Sequence, residues 1–288
     1  MLQYVITGFA IGGLYALLGL GLTLTYRSTS VLNFAQGEFA MMLAFLCYIL
    51  LVSLGFSLLP AFALTCLGSA ATGVLLYNFV IYPIRLRDEE SLAILTLGIK
   101  LAITGVAAWS FGPGSRVFPP LFSAESYDFA GFVIGSSQAW TIVASVMAMA
   151  LIALFLKYTP MGLSMRAATE NLTVAQLLGV NLRAVGSAAW VAAMLIGALT
   201  GVLFAGTVLL GPFMMGNAVL KAFAALVLGG MRSVPGVIVG GFLVGILESL
   251  VAYFLSPLFQ DSVSLVLIIL VLLLKPEGLF GQKQNWRV

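Results

Sequence analysis

The chain has no histidine and only two cysteines among its 288 residues. Without histidine it lacks the commonest metal ligand and the side chain that most often acts as a general base. Both cysteines, Cys47 and Cys66, lie inside long apolar runs, where we expect a packing role rather than a disulfide or metal ligation. We therefore expect no metal site, no cofactor and no catalytic residues in this chain.

Charged residues are also scarce, at 8% of the chain, and no Gly-x-x-x-x-Gly-Lys-Ser/Thr loop is present to cradle a nucleotide phosphate. Hydrophobic residues make up 61%, and the mean hydropathy is +1.13. Because a bilayer core offers the backbone no water, such a chain forms a helical bundle or a closed barrel. The apolar runs are continuous and lack the alternation of barrel strands. The sequence predicts an all-α, polytopic transmembrane helical bundle that forms a single domain over residues 1–288.

Nine apolar runs are candidates for membrane spans. The run 218–230 has only about 13 residues, whereas a full crossing needs about 20. If it is re-entrant, eight spans remain, and the segment 28–38 is a candidate for a compensating hairpin. The nine runs are 4–25, 38–55, 58–82, 92–111, 138–156, 187–210, 218–230, 236–255 and 262–274.

The basic residues predict the orientation, because Lys and Arg prefer cytoplasmic loops close to span ends. With nine crossings and the N-terminus outside, Arg116 faces out, Lys100 and Lys221 fall within spans, and the rest of the 13 basic residues face the cytoplasm. These are Arg27, Arg85, Arg87, Lys157, Arg166, Arg183, Arg232, Lys275, Lys283 and Arg287.

Three polar residues, Asn33, Gln36 and Glu38, lie in the segment between the first two spans. Polar groups at membrane depth are tolerated where they are buried in protein or line a wet cavity. All three are therefore candidates for a translocation pathway, and Glu38 is the strongest because an ionisable residue in a span indicates a functional role. Glu38 has an alternative role, as an anchor at the interface whose carboxylate suits the positive end of a helix dipole.

Glu248 lies well inside a predicted span, and Lys221 and Lys100 are its candidate partners. Charges within a membrane usually pair, so a structural ion pair is favoured over a substrate contact, and both remain open. Lys221 and Glu248 are therefore also candidates for the pathway. Lys100 could instead extend to the interface along its aliphatic stem.

The longest polar interval, residues 157–183, lies between two spans and predicts a cytoplasmic docking loop at about 157–187. Its apolar positions suit a short amphipathic helix that enters a groove on a partner or lies on the membrane surface. A membrane protein with a docking loop and no nucleotide site is typical of a permease subunit driven by its partners. The rival is a self-sufficient transporter that couples Glu38 or Glu248 to protons or sodium. The docking candidates are Leu163, Arg166, Glu170 and Leu178.

Several motifs, in order along nearly the whole chain, resemble the permeases of branched-chain amino acid ABC importers, specifically the LivH family. The first is Asn33-Phe-Ala-Gln-Gly-Glu-Phe after a span containing Gly-Leu-Tyr-Ala-Leu-Leu-Gly-Leu-Gly-Leu-Thr. The others are Gly162-Leu-Ser-Met-Arg-Ala, Ala175-Gln-Leu-Leu-Gly-Val-Asn, Leu220-Lys-Ala-Phe, Leu228-Gly-Gly, Ser233-Val-Pro-Gly and Lys275-Pro-Glu-Gly-Leu-Phe-Gly.

The resemblance implies a heteromeric importer in the bacterial inner membrane, with no nucleic acid among its partners. Those partners would be a second, LivM-like permease, two ATP-binding subunits, an extracytoplasmic binding protein and the lipid bilayer. Importer permeases generally dock their ATPases through a Glu-Ala-Ala-x3-Gly loop, of which this chain keeps Ala175 and Gly179, so both join the docking candidates. The implied substrates are branched-chain or other hydrophobic amino acids, and relatives that import urea or short amides offer an alternative.

Overall fold

The protein is described from a computed structural model that covers residues 1–85, 87–121, 126–129 and 132–281, so Lys283 and Arg287 lie outside the described residues. The helices are α1 (Leu2–Thr29), α2 (Gln36–Tyr48), α3 (Leu58–Leu75), α4 (Tyr82–Ile84), α5 (Glu89–Phe111), α6 (Ser136–Tyr158), α7 (Pro160–Glu170), α8 (Leu172–Leu177), α9 (Leu182–Thr207), α10 (Gly216–Gly229), α11 (Val234–Phe254) and α12 (Gln260–Leu274). The π-helical segments Ile49–Ser53 and Leu76–Ile81 extend α2 and α3, and the 3-10 turn Pro257–Phe259 precedes α12.

The described residues form a helical bundle, as the composition predicts. Eight helical segments in this part of the chain are long and apolar enough to cross a membrane, and Gly216–Gly229 is a shorter apolar helix. A short antiparallel hairpin, β1 (Ser126–Phe129) with β2 (Phe132–Gly135), lies between α5 and α6. The protein is therefore a multi-pass membrane protein. Among the described residues, the short helix Gly216–Gly229 corresponds to the run 218–230, which is too short in the sequence for a full crossing.

Small residues allow α1 and α11 to pack closely as antiparallel neighbours. Gly8 lies against Gly245, while Gly12 lies against Gly241, one turn further along each helix. A Cβ atom at Gly12 would be 2.9 Å from the carbonyl oxygen of Gly241, which is closer than real Cβ contacts. Lipid supplies no hydrophobic force between helices, so this close backbone approach is what makes the pair pack well.

Helix α2 begins inside the bundle rather than at its end. Its first residue, Gln36, donates a hydrogen bond from Nε2 to the carbonyl oxygen of Ala193 at 2.8 Å. Ala193 is eleven residues along α9 from Leu182, a rise of about 16 Å, or about half of a 30 Å hydrocarbon core.

Helix α10 begins beside the start of α2. A Cβ atom on Gly37 would be 3.1 Å from the Cβ atom of Met215, the residue before α10. Non-helical segments, 30–35 and 208–215, precede the two helices. The helices are therefore interrupted both in the segment 28–38, the candidate for a compensating hairpin, and just before the short run 218–230. Non-helical backbone at this depth needs burial in protein, and Asn33 and Leu210 are accordingly buried.

Most of the predicted cytoplasmic basic residues gather at one end of the bundle. Arg232 lies 5.8 Å from the ring centroid of Tyr26, near the end of α1. Arg85 and Arg183 lie 3.7 and 4.8 Å from the ring centroid of Tyr82, the first residue of α4. The end of α1 and the start of α9 line one small pocket with α6 and α7, so both groups share the same end. Arg116 exchanges backbone hydrogen bonds with Leu210 in the loop after α9, at the opposite end.

Candidate functional site

Glu248 and Lys221 form an ion pair in the interior. The Nζ atom of Lys221 lies 3.1 Å from Oε2 of Glu248, which is fully buried on α11. The hydroxyl of Ser264 donates to Oε1 of Glu248 at 2.7 Å, and the hydroxyl of Tyr15 donates to Oε2 at 3.2 Å. Lys221 is thus the partner of Glu248, and the other candidate, Lys100, contacts a different carboxylate.

Lys221 also contacts a second carboxylate, which the sequence analysis did not identify. Its Nζ atom lies 2.8 Å from Oδ1 of Asp261, whose side chain is 65% exposed. Asp261 stands in the first turn of α12, just before the apolar run. Its position next to a span was the available signal, but Lys221 is 40 residues away in sequence, and only the fold brings the two together.

A second ion pair joins α2 to α5. The Nζ atom of Lys100 lies 3.5 Å from Oε1 of Glu38, and the two side chains are 31% and 5% exposed. Oε2 of Glu38 is buried and has no hydrogen-bond partner among the described residues. Glu38 does lie in the first turn of its helix, as the anchoring interpretation requires, but that turn is inside the bundle and not at its end.

Asn33 and Gln36 hold the break between α1 and α2. The side-chain oxygen of Asn33 accepts a hydrogen bond from the backbone of Ala35 at 3.2 Å, and its Nδ2 donates to Oε1 of Gln36 at 3.1 Å. Gln36 in turn donates to Ala193 on α9. Because these bonds use much of the hydrogen-bonding capacity of both amides, their evident role is to stabilise the non-helical segment.

The arrangement places two buried carboxylates, Glu38 and Glu248, each paired with a lysine, around the junction where α2 and α10 begin. Helix α5 packs on α2, and α12 packs on α10. In each pair a buried carboxylate is connected to a charge that reaches the surface, through Lys100 in one case and through Lys221 and Asp261 in the other.

The predicted docking loop folds as two short helices. Thr159 caps α7 by accepting from the backbone of Gly162 at 3.0 Å, and Asn171 caps α8 by accepting from Val174 at 3.0 Å. Gly179 then ends the loop with a φ of 84°, in the left-handed region that glycine adopts at little cost.

Helices α7 and α8 turn some apolar residues inwards and others outwards, so they do not present one continuous apolar face. Met165 is buried against the bundle, and Ala175 is 2% exposed, which leaves its side chain inaccessible to a partner. Leu163, Leu177 and Leu178 are 59%, 82% and 77% exposed. Arg166 and Glu170 are also exposed, so of the docking candidates only Ala175 is covered.

The sequence matches the family model for the permease component of branched-chain amino acid transport systems over residues 4–272. The chain belongs to this family. It is 30% identical over 303 residues to the high-affinity branched-chain amino acid transport permease LivH of Escherichia coli K12, with 100% of this chain and 97% of the relative covered. It is 31% identical over 307 residues to BraD of Pseudomonas aeruginosa, covering 100% and 98%, and 32% identical over 293 residues to a probable LivH of Methanocaldococcus jannaschii, covering 93% and 89%.

The fold is shared with a solved structure. It is PsaBC from Streptococcus pneumoniae in complex with Fab, with a TM-score of 0.51, 13% identity, and 96% and 92% of the two chains covered. At that identity the likeness concerns the fold alone. As a member of the permease family, this chain is a transport component rather than an enzyme, which agrees with the function that the sequence predicts.

Proposed function

We propose that this permease is a subunit of an ATP-driven importer in the bacterial inner membrane that carries branched-chain or other hydrophobic amino acids. The observation that carries the proposal is the family match, which extends over almost the whole chain and includes relatives named for this transport. The proposed partners are a second related permease, two ATP-binding subunits and an extracytoplasmic binding protein.

The junction of α2 and α10 is the proposed share of this chain in the translocation pathway. Glu38, Lys221 and Glu248 provide charge inside the bundle, and Asn33 and Gln36 maintain the break that gives access to it. Transporters commonly form their sites from interrupted helices near the bilayer midplane. The exposed ends of the charge pairs, Lys100 and Asp261, mark the face on which a second permease would complete the path.

The proposed docking surface for an ATP-binding subunit consists of the exposed residues of α7 and α8 and the turn that follows. Leu163, Leu177 and Leu178 supply apolar anchors, while Arg166 and Glu170 add charge at the edge. A surface helix with isolated apolar anchors fits a groove on a partner protein.

Transport by the reconstituted complex tests this function. The permease would be copurified with its partner subunits, placed in liposomes and supplied with binding protein, labelled leucine and ATP. Uptake that requires ATP and is inhibited by excess isoleucine or valine is the expected result. Uptake driven by a proton or sodium gradient without ATP would support the secondary transporter instead. ATP-dependent uptake that is inhibited by urea or acetamide but not by valine would indicate urea or short amides as substrates, and it would still support an ATP-driven importer.

A further inference from the structure

A long apolar groove lies on the outside of the bundle, away from the junction of α2 and α10. Its cavity has a volume of about 630 Å³ and runs between α6 and α9. Neither the proposed pathway nor the exposed docking residues use it. Ser187 is the only polar side chain among the lining residues, which are Leu151, Ile152, Phe155, Met161, Ala184, Ser187, Ala188, Val191, Ala192 and Leu195.

The length of the groove corresponds to one leaflet of a membrane. On α9 it extends from Ala184 to Leu195, eleven residues with a rise of about 16 Å. That is about half of a hydrocarbon core of roughly 30 Å. It begins at the basic end of the bundle, which is the predicted cytoplasmic end, and it ends near the middle of the bilayer.

A pair of arginines stands where the groove begins. Arg183 directly precedes Ala184, and its Nε donates to Oδ1 of Asn78 at 2.8 Å. Nδ2 of Asn78 donates at 3.1 Å to the hydroxyl of Ser187, the polar residue of the groove wall. This chain of hydrogen bonds positions the Arg183 guanidinium relative to the groove.

Arg85 completes the pair, since its guanidinium and that of Arg183 both lie over the ring of Tyr82. Among the described side chains no carboxylate forms an ion pair with either arginine. The terminal amino groups of Arg183 donate no hydrogen bond within this part of the chain. Both guanidinium groups contact the same tyrosine ring and have no carboxylate partner among the described side chains, so they are available to a phosphate, which accepts hydrogen bonds from such planar donors.

We propose that the groove binds an anionic phospholipid, with its phosphate on Arg183 and Arg85 and one acyl chain along the α6–α9 groove. The apolar wall suits an acyl chain, and the length of the groove matches the thickness of one leaflet. The two arginines, which have no carboxylate partner among the described side chains, suit an anionic headgroup. Basic pockets between membrane helices on the cytoplasmic side are suited to such headgroups. An apolar helix of a partner could fill the groove but would leave both guanidinium groups without an anion.

Native mass spectrometry of the purified complex in detergent tests the proposal, with added dioleoyl phosphatidylglycerol, dioleoyl phosphatidylcholine or inorganic phosphate. The expected result is a phosphatidylglycerol adduct on this subunit that resists dissociation better than phosphatidylcholine does. Arg183→Gln and Arg85→Gln should each weaken phosphatidylglycerol binding about fivefold. Arg116→Gln, which makes the same change at the opposite end, is the control and should not alter binding.

A second pair of variants tests the acyl-chain part of the site. Leu195→Trp should narrow the groove and reduce retention of phosphatidylglycerol, while Leu272→Trp on exposed α12 should leave it unchanged. A photoreactive residue at position 195 should cross-link to lipid in native membranes. Equal binding of both lipids by wild type and the arginine variants, binding of inorganic phosphate as strong as that of lipid, or cross-linking to another subunit would each overturn the proposal.

Discussion

Lys221 on α10 and Glu248 on α11 form an ion pair of 3.1 Å in the interior of the bundle. Helix α10 has only 14 residues and cannot span the membrane by itself. The pair therefore connects this short helix to a full-length neighbour at the depth where non-helical backbone must be held in place. Tyr15 adds α1 to the same cluster through its hydrogen bond to Glu248.

Removing Lys221 should destabilise the protein more than neutralising Glu248. Lys221→Met leaves the buried Glu248 with only two hydroxyl partners and should lower the free energy of unfolding by about 3–5 kcal/mol. Glu248→Gln should cost less, because Asp261 still pairs with Lys221. Melting temperatures of the purified complex measure the difference, and equal melting temperatures for the two variants would contradict this account.

The charges that reach the surface should affect transport, and only one of them should leave stability unchanged. Asp261→Asn changes an exposed side chain and leaves Lys221 paired with Glu248, so assembly and melting temperature should change little. Lys100→Gln leaves the buried Glu38 without its partner and should also lower the melting temperature. If these residues border the pathway, uptake by the reconstituted complex should fall about tenfold, the effect of losing roughly 1.4 kcal/mol. Glu90→Gln, an exposed change elsewhere on α5, is the control. Normal uptake in both variants would show that Lys100 and Asp261 do not border the pathway.

An added methyl group at Gly12 should be harmful, and one at Gly105 should be harmless. A Cβ atom at Gly12 would press against the backbone of α11, whereas nothing lies within 4 Å of one at Gly105. Gly12→Ala should therefore cost about 1–3 kcal/mol through overpacking, and Gly105→Ala should be close to neutral. Thermal unfolding in detergent measures both variants. Equal melting temperatures would contradict the prediction that Gly12→Ala is the less stable of the two.

Loss of the apolar anchors on α8 should weaken the docking of ATP-binding subunits. Leu177 and Leu178 are 82% and 77% exposed, so replacing both with serine should not disturb the fold of the bundle. Copurification should decrease at least about tenfold, as expected for a central contact of an interface. Val117→Ser, which changes an equally exposed residue at the opposite end, should copurify normally. Full ATPase recovery with the double variant would disprove the docking assignment.

The orientation remains a prediction from the distribution of basic residues. An enzymatic reporter inserted in the loop 112–137 should be active outside the cytoplasm, and one inserted in the loop 157–187 should be active inside. Arg116 lies at one end of the bundle and Arg183 at the other, so opposite results are required. Reporters on the same side would contradict the topology.

Individual residues show where prediction from sequence stops. The pairing of Glu248 with Lys221 was one of two open alternatives, and Asp261 was not identified at all. The interval predicted to dock a partner folds as two short helices, and its docking role stays a prediction. The burial of Ala175 is not indicated by its motif. The predicted run 218–230 corresponds to α10, but its beginning beside Gly37 depends on contacts between distant segments.

The amino-acid sequence was sufficient to predict a multi-pass helical membrane protein, the approximate positions of its spans and its family. These follow from hydrophobicity, polar breaks and motifs, which are local properties of the chain. The tertiary structure decided which charges meet, where α2 and α10 begin relative to each other, and that Arg183 stands at the start of an apolar groove. The physical reason is that a buried charge is stabilised by whichever opposite charge packing brings within about 4 Å, and that distance is unrelated to separation along the chain.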